Sequence, residues 1–254
     1  LAVHGNEPGP RKIHHGAWLR MIHPYEDRYR RVYGAGARFC ETPVPTEELV
    51  EFVEKWNLPK GIRELEFGCG EGRDSIFLAK SGFNVTAVDI APSAIKRAKE
   101  WSAEESVKGD FQVNDVTALK AIPSESFDLG VNVGCLQMFP EYEDRRELFS
   151  EAFRVLKPKA PYFLCNTAVL TQDEVRQQFG PGWTWPKVGE LTRRKIVVDG
   201  EDREIFLPVI AGRGFTKEEL DKELSEAGFR TVQAERKITR AHGICWIIVA
   251  QKTE

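Results

Sequence analysis

Glu64-Leu-Glu-Phe-Gly-Cys-Gly-Glu-Gly-Arg-Asp74, followed by Asn84-Val-Thr-Ala-Val-Asp89, decides the fold. A short apolar run ends in glycines at 68, 70 and 72, Ser75-Ile-Phe-Leu-Ala79 reads as a helix, and a second β-branched run ends on a carboxylate. The order is strand, tight turn, helix, strand. Glycines let the chain reverse sharply and bring bare backbone N–H groups against a ligand, while an acid closing the next strand can accept both hydroxyls of a ribose. The pattern asks for a nucleoside-bearing cofactor, with an ordinary strand-to-helix turn as the plain alternative.

Spacing separates the cofactor classes. The dinucleotide fingerprint wants glycines at relative positions 1, 3 and 6 to seat a pyrophosphate on a helix N-terminus, and here the sixth position is Arg73. Glu66, two residues ahead of the Gly68-x-Gly70-x-Gly72 turn, completes a stretch that resembles the first motif of the class I S-adenosylmethionine-dependent methyltransferases. The resemblance implies that Glu66 serves the methionine ammonium, directly or through water, that Gly68, Cys69, Gly70 and Gly72 form the turn beside it, and that Asp89, with Ile90, holds the ribose end.

At 254 residues and 41% hydrophobic, the chain can bury one substantial core. Net charge is −3 with both signs interspersed, which leaves no basic field for phosphate contacts and excludes a nucleic-acid partner. The five cysteines (40, 69, 135, 165 and 245) are odd in number and contain no Cys-x-x-Cys pair, so neither a disulfide framework nor a metal site is expected. No apolar run approaches the roughly 20 residues of a membrane span. A cytoplasmic enzyme, monomer or homodimer, acting on a small molecule without a membrane partner, is the expectation. The chain opens on Leu1, which is taken as a processing or excision boundary.

Residues 1–12 lack periodicity and are expected to be a loose leader. Trp18, Met21, Ile22, Tyr25, Tyr29 and Tyr33 recur at three- and four-residue spacing, interrupted by His23-Pro24, which predicts two short amphipathic helices. They form either a stripe packed on the main domain or a lid whose rings close over the ligands. Thr46 is expected to cap a helix with Leu49, Phe52, Val53 and Trp56 on its apolar face. Tyr29 to Leu49 resembles the lead-in of the thiopurine, thiol, halide and tellurite methyltransferases, although Phe39-Cys40-Glu41 replaces the Trp-Asp common there.

Pro92 suits the first turn of a helix running to about Ala103, and Phe111-Gln-Val-Asn-Asp115-Val116 is the next strand. In the family it resembles, the acid at Asp115 accepts from the adenine amino group and Val116 stacks on the ring. Acids at 66, 89 and 115 then lie along one sheet edge, where open α/β sheets bind ligands. Phe127 to Val133 is a buried strand feeding Gly134-Cys-Leu-Gln-Met138. Many small-molecule methyltransferases of the resembled group carry an acid and a histidine where this chain has Asn132 and Gln137, so these amides are expected to bind and orient rather than move protons.

The helix Glu143 to Leu156, Pro158 and the strand Tyr162-Phe-Leu-Cys165 match the same superfamily. Gln178 to Trp185 is a loop carrying Trp183 and Trp185, and residues 194–198 and 203–207 are predicted to form a β-hairpin turning at Asp199-Gly200. Thr216-Lys-Glu-Glu219 is a capping box, and two strands, 231–238 and 244–250, end the chain with His242-Gly243 between them.

The expected fold is α/β: a doubly wound seven-stranded sheet, mostly parallel with the last strand antiparallel, an N-terminal helical lead-in and a β-hairpin insert after strand 5. Residues 1–45 are leader and helical lid, and 46–254 are the Rossmann-like methyltransferase domain, with 167–215 as substrate cap. The cofactor set is Glu66, Gly68, Cys69, Gly70, Gly72, Asp89, Ile90, Asp115, Val116, Asn132 and Gly134; the substrate set is Tyr29, Tyr33, Gln137, Trp183 and Trp185. S-adenosylmethionine is the expected methyl donor and S-adenosylhomocysteine the product. A soft acceptor such as a thiol needs no general base, whereas an alcohol or amine benefits from one, with His242, His14, His15 or Tyr33 as candidates for it; His242, Tyr33 and Gln137 are the candidate catalytic residues. An O- or N-methyltransferase, a non-catalytic cofactor sensor and a nicotinamide-dependent oxidoreductase are the alternatives.

Overall fold

The computed structural model describes residues 15–39 and 44–254, with side chains from Pro24 onward. The leader, His14, Cys40 and the side chains of His15, Trp18, Met21 and Ile22 lie outside that range. In chain order the elements are α1 (His15–Gly34), α2 (Glu47–Trp56), β1 (Arg63–Phe67), α3 (Arg73–Lys80), β2 (Asn84–Asp89), α4 (Pro92–Glu104), β3 (Asp110–Val113) and β4 (Leu129–Val133). A 3-10 turn at Leu136–Met138 leads to α5 (Tyr142–Val155), β5 (Pro161–Thr167), α6 (Gln172–Phe179), β6 (Leu191–Val198), β7 (Glu201–Pro208), α7 (Lys217–Glu226), β8 (Phe229–Thr239) and β9 (Gly243–Lys252).

Seven strands form one sheet in the order β3-β2-β1-β4-β5-β9-β8. Neighbours from β3 to β5 are parallel, and β9 runs antiparallel to both β5 and β8. Both faces are covered, so alternate residues of one strand enter different cores. Tyr162 and Leu164 of β5 join Ile248 and Ala250 of β9 under α5 and α7. Phe163 and Cys165 join Ile247 and Val249 with Leu49 and Phe52 of α2, Leu78 of α3 and Ile95 of α4. Strand order reverses at β1, which pairs β2 on one side and β4 on the other, and the crevice at its carboxyl end is where such sheets take ligands.

β1 carries two acids on the α2–α4 face. Glu64 is fully buried, neither carboxylate oxygen has a hydrogen-bond partner, and burial, with Glu66 and Asp74 adding, pushes it well above the usual carboxylate range. It is therefore carried as the neutral acid, which avoids the far larger cost of an unpaired buried charge.

Three local expectations change. α1 is one helix with Pro24 inside it, not two broken at His23-Pro24. Its proline penalty is about 3 kcal/mol, and three tertiary anchors flank the site: Tyr25 Oη donates to the Met138 carbonyl at 3.1 Å, Ser93 N to Glu26 at 3.0 Å, and Arg28 Nη1 to the Pro208 carbonyl at 2.6 Å. Thr46 stands at the N-cap of α2 without capping it through its side chain. Its N–H and hydroxyl instead donate to Asp74 at 2.7 and 2.9 Å, tying α2 to α3. The third strand stops at Val113, so Asp115 lies two residues beyond it.

The hairpin β6–β7 pairs Val198 with Glu201 around Asp199-Gly200, both at positive φ. Its buried side joins Ile196, Val198 and Leu207 to Val32 and Ala37, a small apolar cluster separate from the two main cores. α1 and the hairpin thus pack together above the sheet edge. Both capping boxes form, at Thr216/Glu219 as expected and at Thr171/Glu174, which opens α6.

Candidate functional site

A cavity of about 290 Å³ lies at the carboxyl ends of β1, β2 and β4. From the expected cofactor set it is lined by Glu66, Gly68, Cys69, Gly70, Asp89, Ile90, Asp115, Val116 and Gly134, and from the substrate set by Tyr29 and Gln137. His242 lines it as well.

The glycine turn works differently from the simplest expectation. Its N–H groups are not bare: Gly68 and Cys69 donate to the Val88 carbonyl at 2.8 and 2.9 Å, Gly70 to Asp89 Oδ2 at 2.8 Å, and Gly72 to the Cys69 carbonyl. Glycine is required instead by conformation and crowding. Gly68 and Gly70 have φ of 75° and 57°, and a Cβ on them would come within 2.5 Å of Cys135 Sγ and 2.9 Å of the Tyr29 hydroxyl.

Asp89 fixes the turn and the helix after it, since its other oxygen accepts from Ala91 N at 2.9 Å. Burial raises its carboxyl, opposed by these N–H donors. Glu66 accepts from the Ser75 hydroxyl and is pushed up to about 8 by burial and by Asp74. A cation placed beside it would restore its charge. Asp115 accepts from Thr117 N and Oγ1 at 2.9 and 2.7 Å.

Five expected residues stand elsewhere. Gly72 begins α3, and its missing side chain admits Ala98 and Phe111. Asn132 is fully buried behind the cavity, where Oδ1 accepts from Leu136 N and Asn166 Nδ2 and Nδ2 donates to Tyr162 Oη, so it fixes the turn carrying Leu136–Met138. Tyr33 donates to Glu71 Oε2 at 3.1 Å and lies against Tyr29. Trp183 and Trp185 do not line the cavity. They pack on Phe179 at ring distances of 4.8 and 5.3 Å and remain 42% and 63% exposed, because the chain after α6 folds back on the end of that helix. From the insert, Ile210 is the residue that reaches the cavity wall.

Gln137 orients the wall through its Oε1, which accepts from Thr167 N and Oγ1 at 2.9 and 2.6 Å. His242 stands against Gly134, where a Cβ would meet its Cε1 at 2.8 Å. Burial, with Arg73 adding, holds the imidazole down at about 4, and its buried Nε2 has no hydrogen-bond partner. The ring is therefore neutral through the physiological range.

Sequence reasoning missed Arg28, Phe39, Arg73, Asn114 and Met138 as wall residues, and placed Tyr25 in the possible lid without naming it in the substrate set. Tyr25 stands four residues before Tyr29 on one helix face, so the same spacing brings both rings to the wall. Arg28 had no such signal.

Among the described residues there is no group of three or more side chains able to hold a metal, and no helix long and apolar enough to cross a membrane. The described cysteines, at 69, 135, 165 and 245, are free thiols.

Residues 65–159 match the family model described as a methyltransferase domain. A solved S-adenosylmethionine-dependent methyltransferase from Methanosarcina mazei is 25% identical, with 79% of this chain and 97% of that one covered and a TM-score of 0.61. Residues 65–159 thus carry a methyltransferase domain, on a fold shared with that S-adenosylmethionine-dependent methyltransferase. The methyltransferase fold extends across almost the whole chain. The 1,6-didemethyltoxoflavin-N1-methyltransferase of Burkholderia thailandensis, solved with its substrate and S-adenosylhomocysteine, is 20% identical, covering 98% of this chain and 94% of its own at a TM-score of 0.61. A curated relative from Xanthomonas axonopodis pv. citri, named ubiquinone biosynthesis O-methyltransferase, is 36% identical over 115 residues, which are 45% of this chain and 47% of that protein. The chain spans about half the length of the curated relatives it matches.

S-adenosylmethionine is the cofactor of such methyltransferases, and the donor set of this cavity fits it. An ammonium, a ribose diol and an amino-substituted base each need an acceptor, and Glu66, Asp89 and Asp115 present three carboxylates to one space.

Proposed function

We propose that the protein transfers a methyl group from S-adenosylmethionine to a hydroxyl of a small molecule, with His242 accepting the hydroxyl proton. In this reading Glu66 faces the methionine ammonium, Asp89 holds the ribose, and Asp115 takes the adenine amino group with Ile90 and Val116 against the ring. The cofactor supplies an activated methyl on a sulfonium. α1 and the segment 167–215 serve as the cover that excludes water from the reacting atoms.

The observation that carries the hydroxyl reading is His242: a buried, neutral imidazole in the cavity wall, beside the end of β4, with Nε2 lacking a partner. As the hydroxyl oxygen bonds to the methyl carbon, the carbon–sulfur bond breaks toward sulfur and the proton passes to the imidazole. A hydroxyl benefits from that base; a thiolate acceptor, the sequence expectation, leaves it without a task. The O-methyltransferase name of the Xanthomonas relative supports the same choice.

Acceptor competition tests this. Catechol and benzenethiol offered with S-adenosylmethionine are expected to give the O-methyl ether as the main product, with S-adenosylhomocysteine released. Methylation of the thiol alone would remove the base from the account while leaving the cofactor assignment standing.

A further inference from the structure

Arg28 is half-buried in the cavity wall and makes no ion pair among the described residues. One of its N–H groups reaches the Pro208 carbonyl, and its guanidinium lies 5.8 Å from the Phe39 ring centroid. Arg194, on β6, stands over the same ring at 4.5 Å and donates to the Phe39 carbonyl at 3.0 Å. It too lacks an acidic partner among the described residues. The neighbouring acid, Glu71, accepts from the Tyr33 hydroxyl and from Phe39 N.

Two guanidinium groups are thus held around one phenyl ring, where burial and Arg194 lower Arg28 from its ordinary value. Gathering like charges at a partly desolvated wall is unfavourable unless an anion completes the site. A guanidinium fork matches a carboxylate in two parallel hydrogen bonds. Arg73, the other cation in the wall, belongs to the glycine-turn side, where it pairs with Asp74 at 2.8 Å. Arg28 faces the side built by the hairpin and Phe39.

We infer that the methyl acceptor carries a carboxylate, which Arg28 binds with Arg194 reinforcing the positive field behind Phe39. The inference rests on the cofactor reading above. It adds a specificity element: α1 and the hairpin select an anionic acceptor over its neutral counterpart, because the anion relieves a guanidinium pair that has no acidic partner among the described residues.

The test is calorimetric titration of the protein saturated with S-adenosylhomocysteine, using 3,4-dihydroxybenzoate and catechol, which differ only in the carboxylate. The wild-type protein is expected to bind the benzoate about tenfold or more tightly than catechol. Arg28→Gln should bring that ratio close to one, and Arg194→Gln should reduce it by a smaller factor. Equal affinity for the two compounds, binding of neither, or a ratio that survives Arg28→Gln overturns the inference. So does a loss of S-adenosylhomocysteine affinity in Arg28→Gln as large as the loss for the benzoate, since the anion recognised is then the cofactor's own carboxylate. If S-adenosylhomocysteine does not bind the wild-type protein, the cofactor reading itself fails, which separates the two failures.

Discussion

His242→Gln lowers kcat on a hydroxyl acceptor by about 10²–10⁴-fold, the range expected when a positioned general base is lost, while S-adenosylhomocysteine affinity changes far less. The glutamine keeps a polar side chain at the β8–β9 turn but cannot take a proton. The pH dependence gives a second readout. Because the imidazole is held down at about 4, it is already neutral where an ordinary histidine is still titrating. With cofactor saturating, so that Glu66 does not enter, the base should cause no inflection between about pH 6 and 7, and activity should fall only as pH drops toward about 4. A variant retaining more than half of wild-type kcat, or a histidine-like inflection abolished by nothing at position 242, would sink the assignment.

Arg145→Ala is expected to cost about 3–5 kcal/mol of stability, the usual consequence of removing one partner of a buried ion pair. Arg145 and Glu223 are both buried and share three N–H···O contacts between 2.7 and 3.2 Å. The same guanidinium donates to the Phe139 and Pro140 carbonyls at 3.0 and 2.7 Å and lies over the Phe215 ring. Its loss leaves a buried carboxylate and two carbonyls unsatisfied at once. In a chain this size the midpoint should fall by roughly 6–20 °C. Because Phe139 and Met138 line the cavity, ligand affinity should weaken in the surviving folded fraction. A fall of less than about 2 °C would mean that water replaces the guanidinium at little cost.

What the sequence revealed was whatever depends on neighbours in the chain. The glycine turn, the acids near the ends of β1 and β2, the strands β5 and β9, the hairpin turn at Asp199-Gly200 and the capping box at Thr216 are all local patterns, and each appears in the fold. What it concealed depends on distant partners. Pro24 signals a break, yet Tyr25 and Arg28 reach Met138 and Pro208, 113 and 180 residues away, and hold α1 continuous. Thr46 has the chemistry of a cap, but its hydroxyl is taken by Asp74, 28 residues on. Trp183 and Trp185 looked like cavity walls on composition alone, and Phe179 satisfies them outside it. His242 reads as an ordinary turn residue until β9 lies against β5 and brings it to Gly134.

The central claim, that this cavity takes S-adenosylmethionine, is tested most directly by thermal unfolding with S-adenosylhomocysteine and, in parallel, with NAD. At 100 times its dissociation constant a ligand that binds only the folded chain adds about 2.7 kcal/mol. That corresponds to a rise of roughly 5–10 °C here. The account predicts this rise with S-adenosylhomocysteine and none with NAD, and a much smaller rise in Asp89→Ala. A shift with NAD alone, or an S-adenosylhomocysteine shift that Asp89→Ala leaves intact, would contradict it.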